Sequence, residues 1–221
     1  MSDERPLDDS EEQGYSFDAG VEFLAAASKS WRDERECVTC HTNGWGLAAH
    51  AVIDPGSDEV EEGRAFAHGY LLGFIKGDSK PSGQYGSVEG LVATAAFLAF
   101  SDARTGDDVH EATRQGLDHA WELLDESGTW ESWLQCNWPP FESDAEYGPT
   151  LMLVALGELD DAAKISSSDR RGAKRLIDYL KKNEPLSLHA KAMRLWAAEH
   201  WSKTVSFKDK KAWRRELLSL P

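Results

Sequence analysis

The window SVEGLVATAAFLAF, residues 87–100, is apolar nearly all the way round a helical wheel. A helix with no wetted side must lie behind helices that have one. Its neighbours are of that second kind. Residues 57–76 carry a broad apolar face built from the rows Phe66, Tyr70, Phe74 and Ala67, Leu71, Ile75, and DDVHEATRQGLDHAWELLD at 107–125 is amphipathic. Ser57 opens the first of these, with Asp58 and Glu59 suited to the positive end of the helix dipole. The alternation continues down the chain. YGPTLMLVALG at 147–157 is apolar all round, SDRRGAKRLIDYLKKN at 168–183 is amphipathic with Leu176, Ile177 and Leu180 facing in, LSLHAKAMRLWAAEHW at 186–201 is mostly apolar, and FKDKKAWRRELLSL at 207–220 is amphipathic. With a first helix over residues 17–30, periodicity predicts about eight helices and almost no strand. Such alternation stacks helical hairpins in inner and outer layers, so the expected fold is all-α, a partial or open α/α toroid-like array. Tyr85-Gly86 and Tyr147-Gly148, each leading into an inner helix, are a weak repeat signal.

The chain has 221 residues, 41% of them hydrophobic, enough for one core and hence a single helical domain over 16–221. Residues 1–15 are acidic and polar and are expected to be a disordered, solvated tail. A formal charge of −15 repels phosphate backbones and anionic lipid, which argues against nucleic-acid binding and membrane-surface roles. No run of about 18 apolar residues occurs, so membrane insertion is not expected. The N-terminus lacks the basic start and apolar stretch of an export signal, leaving a cytoplasmic chain or a trimmed piece of a longer one.

The segment that departs from an ordinary helical domain is ECVTCHTNGWG, residues 36–46. Cys37, Cys40 and His41 form C-x-x-C-H, the attachment signature of c-type haem. Two thiols about one helical turn apart can each add to a haem vinyl group, and the adjacent imidazole can bind the iron as proximal ligand. With three Cys and seven His in the chain, shuffling would produce this pattern roughly once in a thousand tries. Zinc is the first rival, through a Cys₃His set of Cys37, Cys40, His41 and Cys136, although structural zinc sites usually draw later ligands from a separate knuckle. A thioredoxin-like dithiol needs a βαβ setting that the chain does not offer. Two inert cysteines in a loop are the plainest alternative.

Trp31 and Trp45 flank the motif and suit a cover that excludes water from a porphyrin, though tryptophan is also an ordinary core residue. A sixth iron ligand has four candidates, His50, His68, Met152 and Met193, of which His68 ranks first because it flanks the apolar face of its helix close in sequence to the motif. Met152 and Met193 fall on inner helices, where methionine usually fills core space. His110 and His119 fall among charges on an amphipathic helix and read as surface residues.

A second unusual stretch, WESWLQCNWPPFESDAEYG at 130–148, combines Trp130, Trp133 and Trp138 with Glu142, Asp144 and Glu146. Acids beside aromatics can be catalytic or bind a cation. The simpler reading is that the acids favour the N-terminus of the next helix and the aromatics lock the loop. No nucleophile–base pair, phosphate-binding glycine loop or HExxH motif occurs.

AGVEFLAAASKSWRDERECVTCHTNG, followed by YGSVEGLVATAAFLAF, PPFESDAEYGPTLMLVALG and LSLHAKAMRLWAAEHW, resembles the squalene-cyclase or prenyltransferase-like α/α-toroid proteins, frequent in bacteria of the planctomycete type, that carry one CxxCH motif near the N-terminus. The resemblance spans most of residues 17–220 and implies a c-type haem on Cys37 and Cys40, with His41 on iron, in a periplasmic setting. It does not imply terpene cyclisation, because ESDAE lacks the D-x-D-D proton donor of such cyclases, and Cys136 alone does not supply the zinc set of a protein prenyltransferase.

These readings converge on a c-type haem-binding protein, acting in electron transfer or redox and ligand sensing rather than as an enzyme. Haem c would be held by Cys37, Cys40 and His41, flanked by Trp31 and Trp45, with His68 as the further iron ligand. The expected partner is a redox protein or the remainder of a longer chain, an oligomer is left open, and a haem-bearing chain belongs in the periplasm or elsewhere outside the cytoplasm. The alternatives are a zinc-binding or structural helical-repeat interaction module without haem, and a cyclase-like enzyme using Asp144 and its neighbours on an apolar substrate.

Overall fold

The computed structural model describes residues 16–36, 38, 42–78, 87–106, 108–130 and 145–220. Among them are nine α-helices and no strand: α1 (Phe17–Arg35), α2 (Asn43–Ile53), α3 (Asp58–Lys76), α4 (Ser87–Arg104), α5 (Glu111–Glu122), α6 (Tyr147–Asp161), α7 (Ser167–Lys182), α8 (Leu188–His200) and α9 (Phe207–Leu218). The expected all-α fold is therefore present. The expected tail at 1–15 and the Tyr85-Gly86 pair lie outside the described residues.

The even-numbered helices α2, α4, α6 and α8 touch in succession and form an inner row. Helices α3, α5 and α7 touch in succession outside it, α1 packs on α2, and α9 packs on α8. Composition explains the order. Along α4 every residue from Leu91 to Asp102 is buried, and along α6 every residue from Tyr147 to Leu159. These are the middle members of the inner row, wrapped on all sides. Helices α2 and α8 stand at its ends and keep one flank wetter: Val52 and Ile53 of α2 and Trp196 of α8 are exposed. The odd helices bury one stripe each, as Leu176 and Leu180 do on α7, whereas Ile177 is only half-buried. Each fully buried Leu or Phe in this core, such as Leu98, Phe97 or Leu153, contributes roughly 1.5–3 kcal/mol.

Helix ends follow side-chain chemistry. Ser16, Ser187 and Ser206 each accept a backbone N–H of the first turn, and Ser166 with Asp169 forms a reciprocal capping box on α7. Helix α5 starts at Glu111 rather than at residue 107, because His110 Nδ1 accepts from Ala112 N at 3.1 Å and makes the cap itself. Helix α1 runs a turn and a half beyond the expected residue 30, through SWRDER. That extension is supported by i,i+4 pairs from Lys29 to Asp33 at 3.2 Å and from Ser30 to Glu34 at 2.9 Å. Helix α2 is the ninth helix, following the cysteine segment.

Three buried polar hubs hold the layers in register. Arg194 of α8 donates to both carboxylate oxygens of Glu146, at the start of α6, and to the carbonyls of Leu180 and Asn183 at the end of α7. Asp102 of α4 accepts from Arg64 of α3 at 2.7 and 3.1 Å and from His110 N at 3.0 Å. Asp169 of α7 accepts from Arg114 and Trp121 of α5, each at 3.0 Å.

Candidate functional site

Helix α1 stops abruptly before the cysteine motif. Glu36 takes the left-handed conformation (φ 51°, ψ 32°) and donates its N–H to Arg32 O at 2.9 Å. A non-glycine residue there costs about 1 kcal/mol or more and is a fixed turn in the path of the chain. Seven residues later α2 begins, and α1 packs on it. Cys37, Cys40 and His41 lie outside the described residues. Val38, between the two cysteines, is described, is buried, and forms part of the wall of a cavity.

That cavity has a volume of about 340 Å³, lies between α1, α2 and α3, and is partly open to solvent. It lies within the size range of small-molecule and cofactor sites. Its apolar surface comes from Val38, Leu47, Phe66 and Ala67, and its charged lining from Lys29 and Arg32 of α1 and Asp58, Glu59 and Glu62 of α3. Arg32 donates to Glu62 at 3.0 Å and so bridges α1 to α3. From α2 the lining residues are Asn43, Gly46, Leu47 and His50, the i, i+3, i+4, i+7 stripe of a single helical face. Gly46 permits the close approach of α1, since a Cβ there would lie 2.0 Å from Ser28 Oγ.

Two polar atoms of this wall have no hydrogen-bond partner among the described residues, Ser28 Oγ and His50 Nε2. His50 is only 4% exposed. Burying an imidazole without a partner for its ring nitrogen costs on the order of 1–3 kcal/mol, which a bound group with an open coordination position or a polar atom would offset. A c-type haem asks for two neighbouring thiols, an axial imidazole, apolar cover and a further donor, and the cavity beside Val38 supplies the cover and an orphaned imidazole. The thiols and His41 lie outside the described residues, and Asp58, Glu59 and Glu62 also line the cavity. Among the described residues no cluster of three or more His, Cys, Asp or Glu forms a metal site by itself.

The other expected site residues lie elsewhere. His68, the expected sixth ligand, does not line the cavity. Its ring stacks on His110 at 3.7 Å between centroids, and its Nε2 lies 3.4 Å from Thr113 Oγ1 of α5. Burial pushes its imidazole down from 6.5 to about 4, with the neighbouring His110 as the next cause. Trp45 sits away from the cavity too. Its Nε1 donates to the Tyr147 hydroxyl at 3.1 Å, and its ring meets Phe97 edge-on at 5.2 Å and stacks on Trp196 at 5.8 Å, so it braces the inner row. Trp31 is half-buried on α1 with the Arg35 guanidinium 5.5 Å over its ring, and it is not part of the cavity wall. Met152 and Met193 are buried on the inner helices α6 and α8. His110, expected at the surface, is exposed but stacks on His68 and caps α5.

In the second unusual stretch, Trp133, Cys136, Trp138, Glu142 and Asp144 lie outside the described residues. Trp130 is buried and donates to Ala120 O at 3.0 Å. Glu146 is buried and ion-paired with Arg194, which suits a structural anchor better than a proton donor.

The i, i+3, i+4, i+7 stripe was the available signal for His50. Once α2 is taken to start at Asn43, the two small-residue positions and Leu47 place His50 on the face turned toward α1 and α3, with Trp45 off that stripe. The chain matches no protein family, no curated protein and no solved structure.

Proposed function

We propose that the protein is a c-type haem carrier of the CxxCH-bearing toroid kind, in which Cys37 and Cys40 anchor the porphyrin, His41 binds the iron, and the cavity between α1, α2 and α3 shelters one face of the ring. The observation that carries this reading is that Val38, the residue inside the motif, stands on the wall of a cavity of about 340 Å³ beside the buried His50, whose Nε2 has no hydrogen-bond partner among the described residues.

A haem held in this way supplies reversible one-electron chemistry. The residues around it would do the rest. Leu47, Phe66 and Ala67 would keep water from the ring. The charge of −15 favours a basic redox partner, with association that slows as salt rises. Thioether attachment of this type is made outside the cytoplasm, so the periplasm is the proposed location. Among the described residues no helix is long and apolar enough to cross a membrane.

The test is expression in a host that exports the chain and carries haem-maturation machinery. The expected product is coloured, with a Soret band that survives acid–acetone extraction in the wild type and is lost in the Cys37→Ser, Cys40→Ser double variant. A folded, colourless wild-type protein from that host, with or without zinc, refutes the reading.

A further inference from the structure

We propose that the outward face of α9 docks into the shallow groove between α1 and α3 of a second copy of this chain. Charge is unevenly spread along the sequence. Residues 164–221 hold 15 of the 24 Lys and Arg but 6 of the 39 Asp and Glu, so an acidic chain ends in a basic quarter. Helix α9 gathers part of that charge on one side. It packs on α8, and Lys210, Trp213 and Leu217, at i, i+3 and i+7, form its half-buried stripe, with Lys210 Nζ donating to Ala198 O at 2.9 Å. The opposite stripe is Phe207, Lys211, Arg214 and Leu218, at i, i+4, i+7 and i+11, with Lys208 and Arg215 beside it. All of these are exposed, Phe207 by 85% and Leu218 by 83%. Lys208, Lys211, Arg214 and Arg215 have no carboxylate partner among the described residues. The acids of α9 are held elsewhere: Asp209 accepts from Ser206 Oγ at 2.5 Å, and Glu216 pairs with Lys191 at 2.8 Å. Large apolar side chains standing among unpaired cations suit a contact with an acidic, partly apolar surface.

The chain carries such a surface itself. The open groove between α1 and α3 is lined by Ala65 and Phe66 and by the acids Asp33, Glu36 and Glu62. Arg32 also lines it, but that cation is engaged, with Glu62 at 3.0 Å and Asp33 at 3.5 Å. Asp33 is further paired with Lys29 at 3.2 Å, whereas Glu36 has no cation partner among the described residues. The cations of α9 would meet these acids while its apolar residues cover Ala65 and Phe66. Two copies of net charge −15 repel at long range. At about 0.1 M salt, however, the Debye length is about 10 Å, so distant charge is screened and groups facing across a contact still attract. Each copy offers one α9 face and one groove, so the contact is heterologous. Helix α9 is about 18 Å long at 1.5 Å per residue, which places the contact among small interfaces and makes the association weak. The proposal is independent of the haem reading.

The test is sedimentation of the full chain at about 0.1 M salt, from micromolar to millimolar concentration. The wild type is expected to be a 24.5 kDa monomer when dilute and to gain mass as it is concentrated. Two double variants each block one side of the contact at exposed positions. Lys211→Glu with Arg214→Glu reverses the α9 face, and Glu36→Lys with Ala65→Arg fills and reverses the groove while leaving the Arg32–Glu62 pair in place. Each variant alone is expected to stay monomeric. Their mixture is expected to form a species of two chains and nothing larger, because only one usable α9 face and one usable groove remain. Far-UV circular dichroism reports whether both variants keep their helices. A wild type that is monomeric throughout, an unchanged mass gain in either variant, or folded variants that do not associate when mixed overturns the proposal.

Discussion

Removing the Asp169 carboxylate should unfasten α7 from α5. The side chain is 1% exposed. Its Oδ1 accepts from Trp121 Nε1 at 3.0 Å, and its Oδ2 accepts from Arg114 Nη1 at 3.0 Å and from Ser166 N at 3.1 Å and Oγ at 2.6 Å. Asp169→Ala deletes all four bonds, while Ser166 Oγ can still accept from the residue-169 N–H. Loss of half the capping box costs about 1 kcal/mol. Loss of the charged acceptor for Trp121 and Arg114 costs about 1.5–3 kcal/mol, and the lower part of that range applies because Arg114 is 31% exposed and partly solvated. The expected destabilisation is about 3 kcal/mol, a large fraction of the roughly 5–15 kcal/mol typical of a folded domain. For a chain of this length that corresponds to a fall in Tm of about 6–12 °C. Ser166→Ala alone should cost about 1 kcal/mol, and the double variant should be no more than about 0.5 kcal/mol worse than Asp169→Ala, because the two side chains share one network. Urea unfolding at neutral pH, followed by far-UV circular dichroism, measures all three. A loss below about 1 kcal/mol for Asp169→Ala, or strict additivity in the double variant, would refute the description of Asp169 as a shared hub.

Stability should also depend on pH through His68. Its folded-state value of about 4 lies below the ordinary 6.5, because of burial first and His110 second, with Asp102 opposing and Arg64 adding. The unfolded chain therefore takes up a proton near pH 6.5 that the folded chain refuses until near pH 4. The stabilisation is complete above pH 6.5 and drains as pH falls toward 4, reaching about 2 kcal/mol of loss by pH 5. His68→Gln should remove that part of the slope between pH 7 and 5, and equal slopes for the two proteins in urea titrations would contradict it. Gly157→Ala should lower Tm, since the new Cβ would stand 2.3 Å from His200 Cγ where α6 meets α8. The expected cost is about 1–3 kcal/mol, measured by thermal melting, and an unchanged midpoint would show that the two helices are not in such close contact.

The layer order was legible because periodicity reports how many sides of a helix are wetted. SVEGLVATAAFLAF and YGPTLMLVALG became α4 and α6, the two helices enclosed on every side. The reading was weaker at α1, where Phe17 and Phe23 are 59% and 74% exposed although apolar. A one-dimensional pattern cannot register that the helix has a partner along only part of its surface. It also missed the Arg194–Glu146 pair, whose members are 48 residues apart and are both charged residues that composition assigns to solvent.

The candidate site divides the same way. The sequence alone determined the all-helical, two-layer character of the chain and singled out Cys37, Cys40 and His41, because wetting periodicity and motif chemistry are local properties of neighbouring residues. Only the tertiary structure put His50 on the wall of a cavity and His68 against His110, and turned Trp45 toward the inner row. Each of these residues lies on an apolar helical face, and which element covers that face depends on contacts distant in sequence. For His50 it is the meeting of α1, α2 and α3 around a cavity, and for His68 the packing of α3 on α5 that brings its ring onto His110.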